Sequence, residues 1–358
     1  MRALRILAGP RARAHLLERG LSPADVLAVP GAAGGPKGLV LNALDRLLFG
    51  HWLAGATHAI HLLGASIGAW RMACACLPDA DAALAELAED YVTQRYEHAP
   101  GRPPAPEHVS AVFGAVLEAR LAPRAAEILA HPSRRLHVLA SRGRHILRRE
   151  GRVRTAAGYG LAFLANAMAR PALGGFLERV VISDSRTPLP WPMTDFPTFT
   201  ADLRPDNLAR AVLASCSIPF WLRAVREIPG TPPGAYWDGG ITDYHLHLPY
   251  AQSADPGLVL YPHFQAQLVP GWLDKAWKGR HRATPWLDNV VLLVPQPEWV
   301  ATLPGAKLPD RGDFRAYGDD VEGRARAWRR AVAEGARLAD EFHEAVSRGA
   351  PVAADPLR

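Results

Sequence analysis

The pentapeptide Gly64-Ala65-Ser66-Ile67-Gly68 has the G-x-S-x-G spacing in which a serine hydroxyl can attack a carbonyl carbon. A serine is a weak nucleophile until a base takes its proton, and the resulting tetrahedral intermediate needs donors for its oxyanion. The chain offers candidates for both. Gly31-Ala32-Ala33-Gly34-Gly35-Pro36-Lys37-Gly38 joins a strand pattern to a helix pattern, and N–H groups at a helix start point toward negative charge. Pro36 has no N–H, so the donors fall to Gly34, Gly35 or the residues beside them. Two kinds of base are available. One is Asp238 in Asp238-Gly239-Gly240; the other is a histidine among His245, His247 and His263. The competing readings are a helix-capping serine at Ser66 and a tight, ligand-free turn at the glycine loop.

Other chemistry fits less well. The glycine loop is not a Walker A motif, because Gly38 follows Lys37 where Ser or Thr would hold a metal, and G-x-G-x-x-G is not met either. Asp243, His245 and His247 are metal-ligating types, but no third strong ligand accompanies the two histidines, so they read as structural and no metal is expected. The three cysteines, Cys74, Cys76 and Cys216, have no metal spacing and suit a reducing compartment.

What decides among these options is order along the chain. A strand, glycine loop and helix come first, then a strand, G-x-S-x-G and helix, then a late strand ending in Asp-Gly-Gly. This arrangement resembles the patatin-like phospholipases, whose oxyanion loop, G-x-S-x-G serine and D-G-[GA] aspartate occur in that order. Ala33-Gly34-Gly35-Pro36-Lys37-Gly38, Gly64 to Gly68 and Asp238-Gly239-Gly240 carry the resemblance. Ala214-Ser215-Cys216-Ser217-Ile218-Pro219 adds a fourth block. It implies a serine acyl hydrolase of lipid carboxylic esters, of phospholipase A or lysophospholipase type. Ser66 would be the nucleophile and Asp238 the base of a dyad without histidine. Gly34 and Gly35 would hold the oxyanion, with Lys37, Gly64, Gly68 and Gly239 supporting and no cofactor. Ala33 and Lys37 depart from the family's usual glycine and arginine, and Ile241 to Pro249 replaces the usual segment after Asp-Gly-Gly. The alternatives are a Ser-His-Asp esterase and a non-catalytic lipid-binding protein of the same fold.

The surface signals point to lipid as the partner. Arg134, Arg135, Arg142, Arg144, Arg148, Arg149, Arg152 and Arg154 form a basic cluster opposed only by Glu150. Such a cluster suits an anionic membrane surface, and no nucleic-acid signature accompanies it. The uncharged stretch 155–169 reads as a lid or lipid-facing helix, or else as a core helix. Trp272, Trp277 and Trp286 among Lys275, Lys278, Arg280 and Arg282 form a second interfacial candidate.

The elements that must position these residues alternate. Apolar strands are expected at 4–9, 25–31, 58–65, 135–141, 179–184, 198–203, 234–240, 257–262 and 289–295. Helices are expected at 11–20, 39–53, 67–77, 80–97, 107–130, 205–215 and 319–347. This predicts a three-layer α/β/α fold on a mostly parallel sheet. One domain over 1–358 is expected, with a motif core at about 25–250, a βα extension at 1–24 and a C-terminal helical segment at about 310–350. At 358 residues, 49% hydrophobic and 21% charged, the chain can bury a substantial core. Its net charge of +6 is almost all arginine. No signal peptide or membrane-spanning run is read, so a cytoplasmic, peripherally membrane-associated location is expected. Oligomeric state is left open.

Overall fold

The computed structural model describes residues 1–99 and 102–358. β1 (Leu4–Ala8), α1 (Pro10–Arg19), β2 (Val26–Gly31), α2 (Asn42–Leu47), β3 (Ile60–Ala65) and α3 (Ile67–Ala75) open the chain. α4 (Ala80–Val92), α5 (Pro106–Leu121) and α6 (Ala125–Ala130) lead to β4 (Arg134–Gly143) and α7 (Arg152–Met168). β5 (Leu177–Ser183), β6 (Thr198–Asp202), α8 (Leu208–Cys216), β7 (Tyr236–Asp238), α9 (Gly240–Asp243), β8 (Leu258–Pro262) and β9 (Val290–Pro295) follow. α10 (Pro297–Val300), α11 (Gly312–Tyr317), α12 (Val321–Glu334), α13 (Ala336–Ser347) and β10 (Asp355–Pro356) complete it.

All strands join one sheet in the order β10-β1-β9-β8-β2-β3-β4-β5-β6, with β7 added against β4. Most neighbours run parallel; β1/β9, β4/β5 and β4/β7 are antiparallel. The strands alternate faces as pleating requires. Ile60 and Leu62 point into one core, while Leu63 and Ala65 point into another. The first core is closed by α1 to α5, α8 and α13. The second lies under short 3-10 turns and the segment 244–250, and α7 and α9 pack over a third cluster around Trp237. The three-layer α/β/α architecture on a mostly parallel sheet is present.

The main departures are at helix ends. The helix expected at 107–130 is two, because Pro123 lies in the break and cannot supply a helical N–H. The helix expected at 319–347 divides at Gly335 into α12 and α13. The helix expected to reach 97 ends at Val92. The segment after the glycine loop begins as a 3-10 helix (Gly35–Leu41) before turning α-helical. β10, unanticipated, extends the sheet parallel to β1. Among the described residues no helix is long and apolar enough to cross a membrane.

Candidate active site

Parallel pairing places the two functional turns side by side. β2 and β3 align Gly31 with Gly64, so the glycine loop and the serine turn leave the sheet at the same carboxyl edge. Ligands bind at that edge in parallel α/β sheets. β3 pairs Ala65 with Leu139 on β4, and β7 pairs Asp238 with Ala140 on the same strand. A residue 172 positions later is thereby delivered beside Ser66.

Ser66 sits at φ 56°, ψ −131°, a backbone region costly for a residue with a Cβ. Its hydroxyl makes no cap to α3; it donates instead to Asp238 Oδ2 at 2.6 Å. The sharp turn needs both flanking glycines. A Cβ on Gly68 would stand 1.8 Å from the Gly31 carbonyl oxygen, and one on Gly64 would stand 2.3 Å from Ala69 Cα. The N-cap reading of Ser66 is therefore set aside by geometry.

Asp238 is held on every side. Its Oδ1 accepts from the Gly240 N–H at 2.7 Å, and its carbonyl accepts from Ser141 Oγ at 2.9 Å. Its own N–H donates to the Ser217 carbonyl, and Gly239 N–H donates to the Ser215 carbonyl. Gly239 has no room for a side chain, since a Cβ there would stand 2.0 Å from the Leu139 carbonyl oxygen. Burial pushes the Asp238 carboxyl above its ordinary value. The Ser66 hydroxyl, Arg311, the Gly240 N–H and Lys275 pull the other way.

Gly34 and Gly35 lie at the start of the 3-10 turn beside this pair, Gly35 at φ +57°. The Ala33 N–H is committed to the Tyr244 carbonyl. Lys37 and Gly34 line the chamber that also exposes Ser66 and Asp238.

None of the three histidines meets Ser66. His263 Nδ1 contacts the backbone of Gln265, His245 Nδ1 that of Gln267 and Val269, and His247 Nε2 lies 2.8 Å from Thr284 Oγ1. Burial lowers all three, leaving them neutral. Asp243, next to the histidines in sequence, is instead gripped by Arg179 at 2.6 and 2.8 Å.

Three residues of the site carried no active-site role in the sequence reading, although Lys275 was read there as part of an interfacial segment. Ser215 accepts the Ser66 N–H at 2.9 Å and donates to the Leu139 carbonyl at 2.6 Å, pinning the elbow to β4. Its signal was present in the Ala214 to Pro219 block. Lys275 and Arg311 also line the chamber, and no local motif marks either. The basic cluster, by contrast, does not survive folding as one surface. Arg134 is buried and donates to the Ala75 and Phe49 carbonyls, Arg142 pairs with Glu178, and Arg144 donates to the Gly174 carbonyl. Arg148, Arg149, Arg152 and Arg154 remain exposed, and Glu150 pairs with Arg223.

The fold and site together define a class: an α/β protein with a serine on a strained strand-to-helix turn, bonded to an aspartate, beside a glycine loop. The family model for patatin-like phospholipase matches residues 34–246, more than half of the chain, and the chain belongs to that family. Its members are lipid acyl hydrolases. Among solved structures, VipD from Legionella pneumophila aligns with TM-score 0.39 and 13% identity over 95% of this chain and 70% of VipD. The type III effector protein ExoU aligns with TM-score 0.28 and 14% identity over 89% of this chain and 54% of its own. The search of curated proteins returned no match.

Proposed function

We propose that this protein is a serine hydrolase of lipid carboxylic esters, one domain in which Ser66 is the nucleophile and Asp238 the base. The observation that carries the reading is the 2.6 Å hydrogen bond between Ser66 Oγ and Asp238 on the strained elbow. Ser66 Oγ attacks the ester carbonyl as its proton passes to Asp238, and the Gly34 and Gly35 N–H groups receive the oxyanion. Collapse expels the alcohol, which takes the proton from Asp238. A water then attacks the acyl-enzyme, giving its proton to Asp238 and returning Ser66 with release of the fatty acid.

Two chambers meet at Ser66, which supports a division of the substrate. One, of about 260 Å³, also exposes Asp238, Gly34 and Lys37. The other, of about 150 Å³, is lined by Tyr91, Tyr96, Phe113, Leu222 and Phe314 together with Arg95, Arg311 and Arg324, and does not reach Asp238. The alcohol must leave where Asp238 can protonate it, so the larger chamber takes the leaving group and the aromatic one the acyl chain. The test is product analysis by mass spectrometry on phospholipids, lysophospholipids and neutral glycerides. Release of free fatty acid by wild type but not by Ser66→Ala is expected. A fluorophosphonate probe that fails to label Ser66 in folded protein would favour a non-catalytic lipid binder.

The pH profile follows from the burial of Asp238. Only its ionised form can accept the serine proton, and its pKa is raised. Activity is therefore expected to fall, as pH drops, at a pH above the ~3.9 of an ordinary aspartate. Removing a cation that favours ionisation, as in Lys275→Met, should move this acid limb higher still. An acid limb at or below the ordinary value would contradict Asp238 as the base.

Membrane contact is supported by an apolar rim at the chamber mouth. Phe220, Trp221 and Trp272 line the chamber and are 57%, 47% and 43% exposed. On α7, Leu161, Leu164 and Met168 face out while Tyr159, Ala162 and Asn166 face in. Arg148, Arg149, Arg152 and Arg154 stand at the start of this helix, where they suit an anionic lipid surface. Burying a Leu or Met side chain is worth about 1.5–3 kcal/mol. Leu164→Ser and Met168→Ser should each lower partition to anionic vesicles about tenfold or more in a flotation assay. Unchanged partition would remove α7 from the interface.

A further inference from the structure

Tyr91 stands on α4 with its ring against Trp328 of α12, the ring centroids 6.3 Å apart. Its hydroxyl reaches the glycine loop, since a Cβ on Gly35 would stand 3.4 Å from the Tyr91 hydroxyl oxygen and 3.2 Å from Arg311 Nε. The phenol, Ser66 and Arg311 line one chamber. Among the described residues the hydroxyl finds no hydrogen-bond partner, and it is not sealed off from that chamber. Tyrosines elsewhere in the fold spend theirs. Tyr250 donates to the Leu246 carbonyl at 2.7 Å, Tyr261 to the His245 carbonyl at 2.9 Å and Tyr96 to Gln94 Oε1 at 3.1 Å. A phenol that folding brings beside the nucleophile and leaves unpaired is a donor free for a ligand.

The glycine loop has a place for such a donor. An alkoxide oxygen accepts several hydrogen bonds at once, and backbone donors here are few. Pro36 brings no N–H, and the Ala33 N–H is committed to the Tyr244 carbonyl. Burial raises the Tyr91 phenol above its ordinary value, with Arg311 pulling the other way. At neutral pH the phenol is therefore fully protonated and can only approach an anion as an O–H donor.

We propose that the Tyr91 hydroxyl is a further oxyanion donor, completing with the Gly34 and Gly35 N–H groups the hole that receives the ester carbonyl oxygen. This rests on the reading of Ser66 as the nucleophile and of the glycine loop as the oxyanion site. As the bond from Ser66 Oγ to the carbonyl carbon forms, the carbonyl π pair moves onto oxygen. Tyr91 donates a hydrogen bond to that oxygen and keeps its own proton, while the serine proton goes to Asp238. On collapse the pair returns to the carbonyl and the hydrogen bond weakens. Tyr91 thus contributes more in the transition state than in the ground state, the condition for raising kcat rather than affinity. Trp328 packs the ring in place before substrate arrives, so the donor needs no reordering during the reaction.

Tyr91→Phe removes the hydroxyl alone and keeps the ring on Trp328. On p-nitrophenyl butyrate its kcat should fall about a hundredfold, the scale for loss of one oxyanion donor, with KM within about twofold of wild type. The hydroxyl has no partner in the protein, so the melting temperature should stay at the wild-type value. An alkyl trifluoromethyl ketone, which adds to a nucleophilic serine as a tetrahedral alkoxide, should bind Tyr91→Phe more weakly by a similar factor. Retention of more than about a third of wild-type kcat, or a raised KM at unchanged kcat, would overturn the proposal and make Tyr91 part of the chamber wall only. A fall in melting temperature accompanying the loss of kcat would mark the hydroxyl as structural and overturn it too. Full activity in Tyr91→Phe beside an inactive Ser66→Ala would remove Tyr91 while the dyad stands. Hydrolysis that survives Ser66→Ala, or wild type inert on the ester and unable to bind the ketone, would overturn the nucleophile reading and the role of Tyr91 with it.

Discussion

Asp238→Asn is expected to reduce kcat on a p-nitrophenyl ester by at least about a thousandfold, as is Ser66→Ala, the scale seen when a catalytic nucleophile or base is removed. Asparagine keeps the shape of the side chain and can still accept the Gly240 N–H, but it cannot take the serine proton. The loss is distinguishable from unfolding because the stability effect has the opposite sign. Burial raises the Asp238 pKa, so the folded protein binds this proton more tightly than the unfolded chain does. Below the unfolded-state pKa the group imposes no penalty. As pH rises past that value, ionising the buried carboxyl costs stability. At neutral pH, Asp238→Asn removes that cost and should melt no lower than wild type. An inactive, stable variant is the expected pair of results. Retention of more than a tenth of wild-type activity in Asp238→Asn would return the base to a histidine or to water.

Arg179→Met should destabilise the fold by about 3–5 kcal/mol, the usual effect of removing one partner from a buried ionic group. Arg179 is fully buried and holds two carboxylates at once. Asp243 accepts at 2.6 and 2.8 Å and Asp195 at 2.8 and 3.0 Å. Burial alone would raise Asp195, but the Arg179 hydrogen bonds and charge hold it below its ordinary value. Its contribution to stability is thus present above the unfolded pKa and lost as pH falls through the folded one. Methionine fills part of the volume, leaves Asp243 without its ion-pair partner and leaves Asp195 with only the charge of Arg170 nearby. Protonation relieves that defect, so the gap from wild type should narrow in acid. Urea unfolding of both proteins at neutral and acidic pH reads the effect directly. The functional consequence is local. Asp243 ends α9, which begins two residues after Asp238, so a loosened α9 shifts the Gly240 N–H that orients the base. An equal unfolding midpoint at neutral pH would show that the two aspartates are compensated without Arg179.

Much of the architecture was legible in the chain because local pattern and global fold agree. β3 and β9 read as strands because they are continuous apolar runs bounded by turn residues, as strands buried on both faces must be. The glycine loop, the Ser66 elbow and Asp238-Gly239-Gly240 were legible because each depends on a backbone that few residue types tolerate. Steric demands of that kind stay visible in sequence. Helix ends were less so: α5 and α6 separate at Pro123, and α12 and α13 at Gly335, where a continuous periodicity hid the break. The basic cluster misled because adjacency in sequence is not adjacency on a surface. β4 turns successive arginines to opposite sides of the sheet, and Arg134 is consumed by backbone carbonyls.

By itself, the sequence determined the α/β class, the candidate nucleophile and the order of the three glycine-bearing turns, since these rest on short-range sterics and hydrophobic period. The residues alone left the base open between Asp238 and three histidines, and the family resemblance pointed to Asp238. Only the tertiary structure decided which of them touches Ser66, because that depends on β7 pairing with β4 in a register no local rule sets. The same holds for Ser215, Lys275 and Arg311. Each reaches the site through long-range packing, and no periodicity along the chain encodes where a side chain from a distant loop will end.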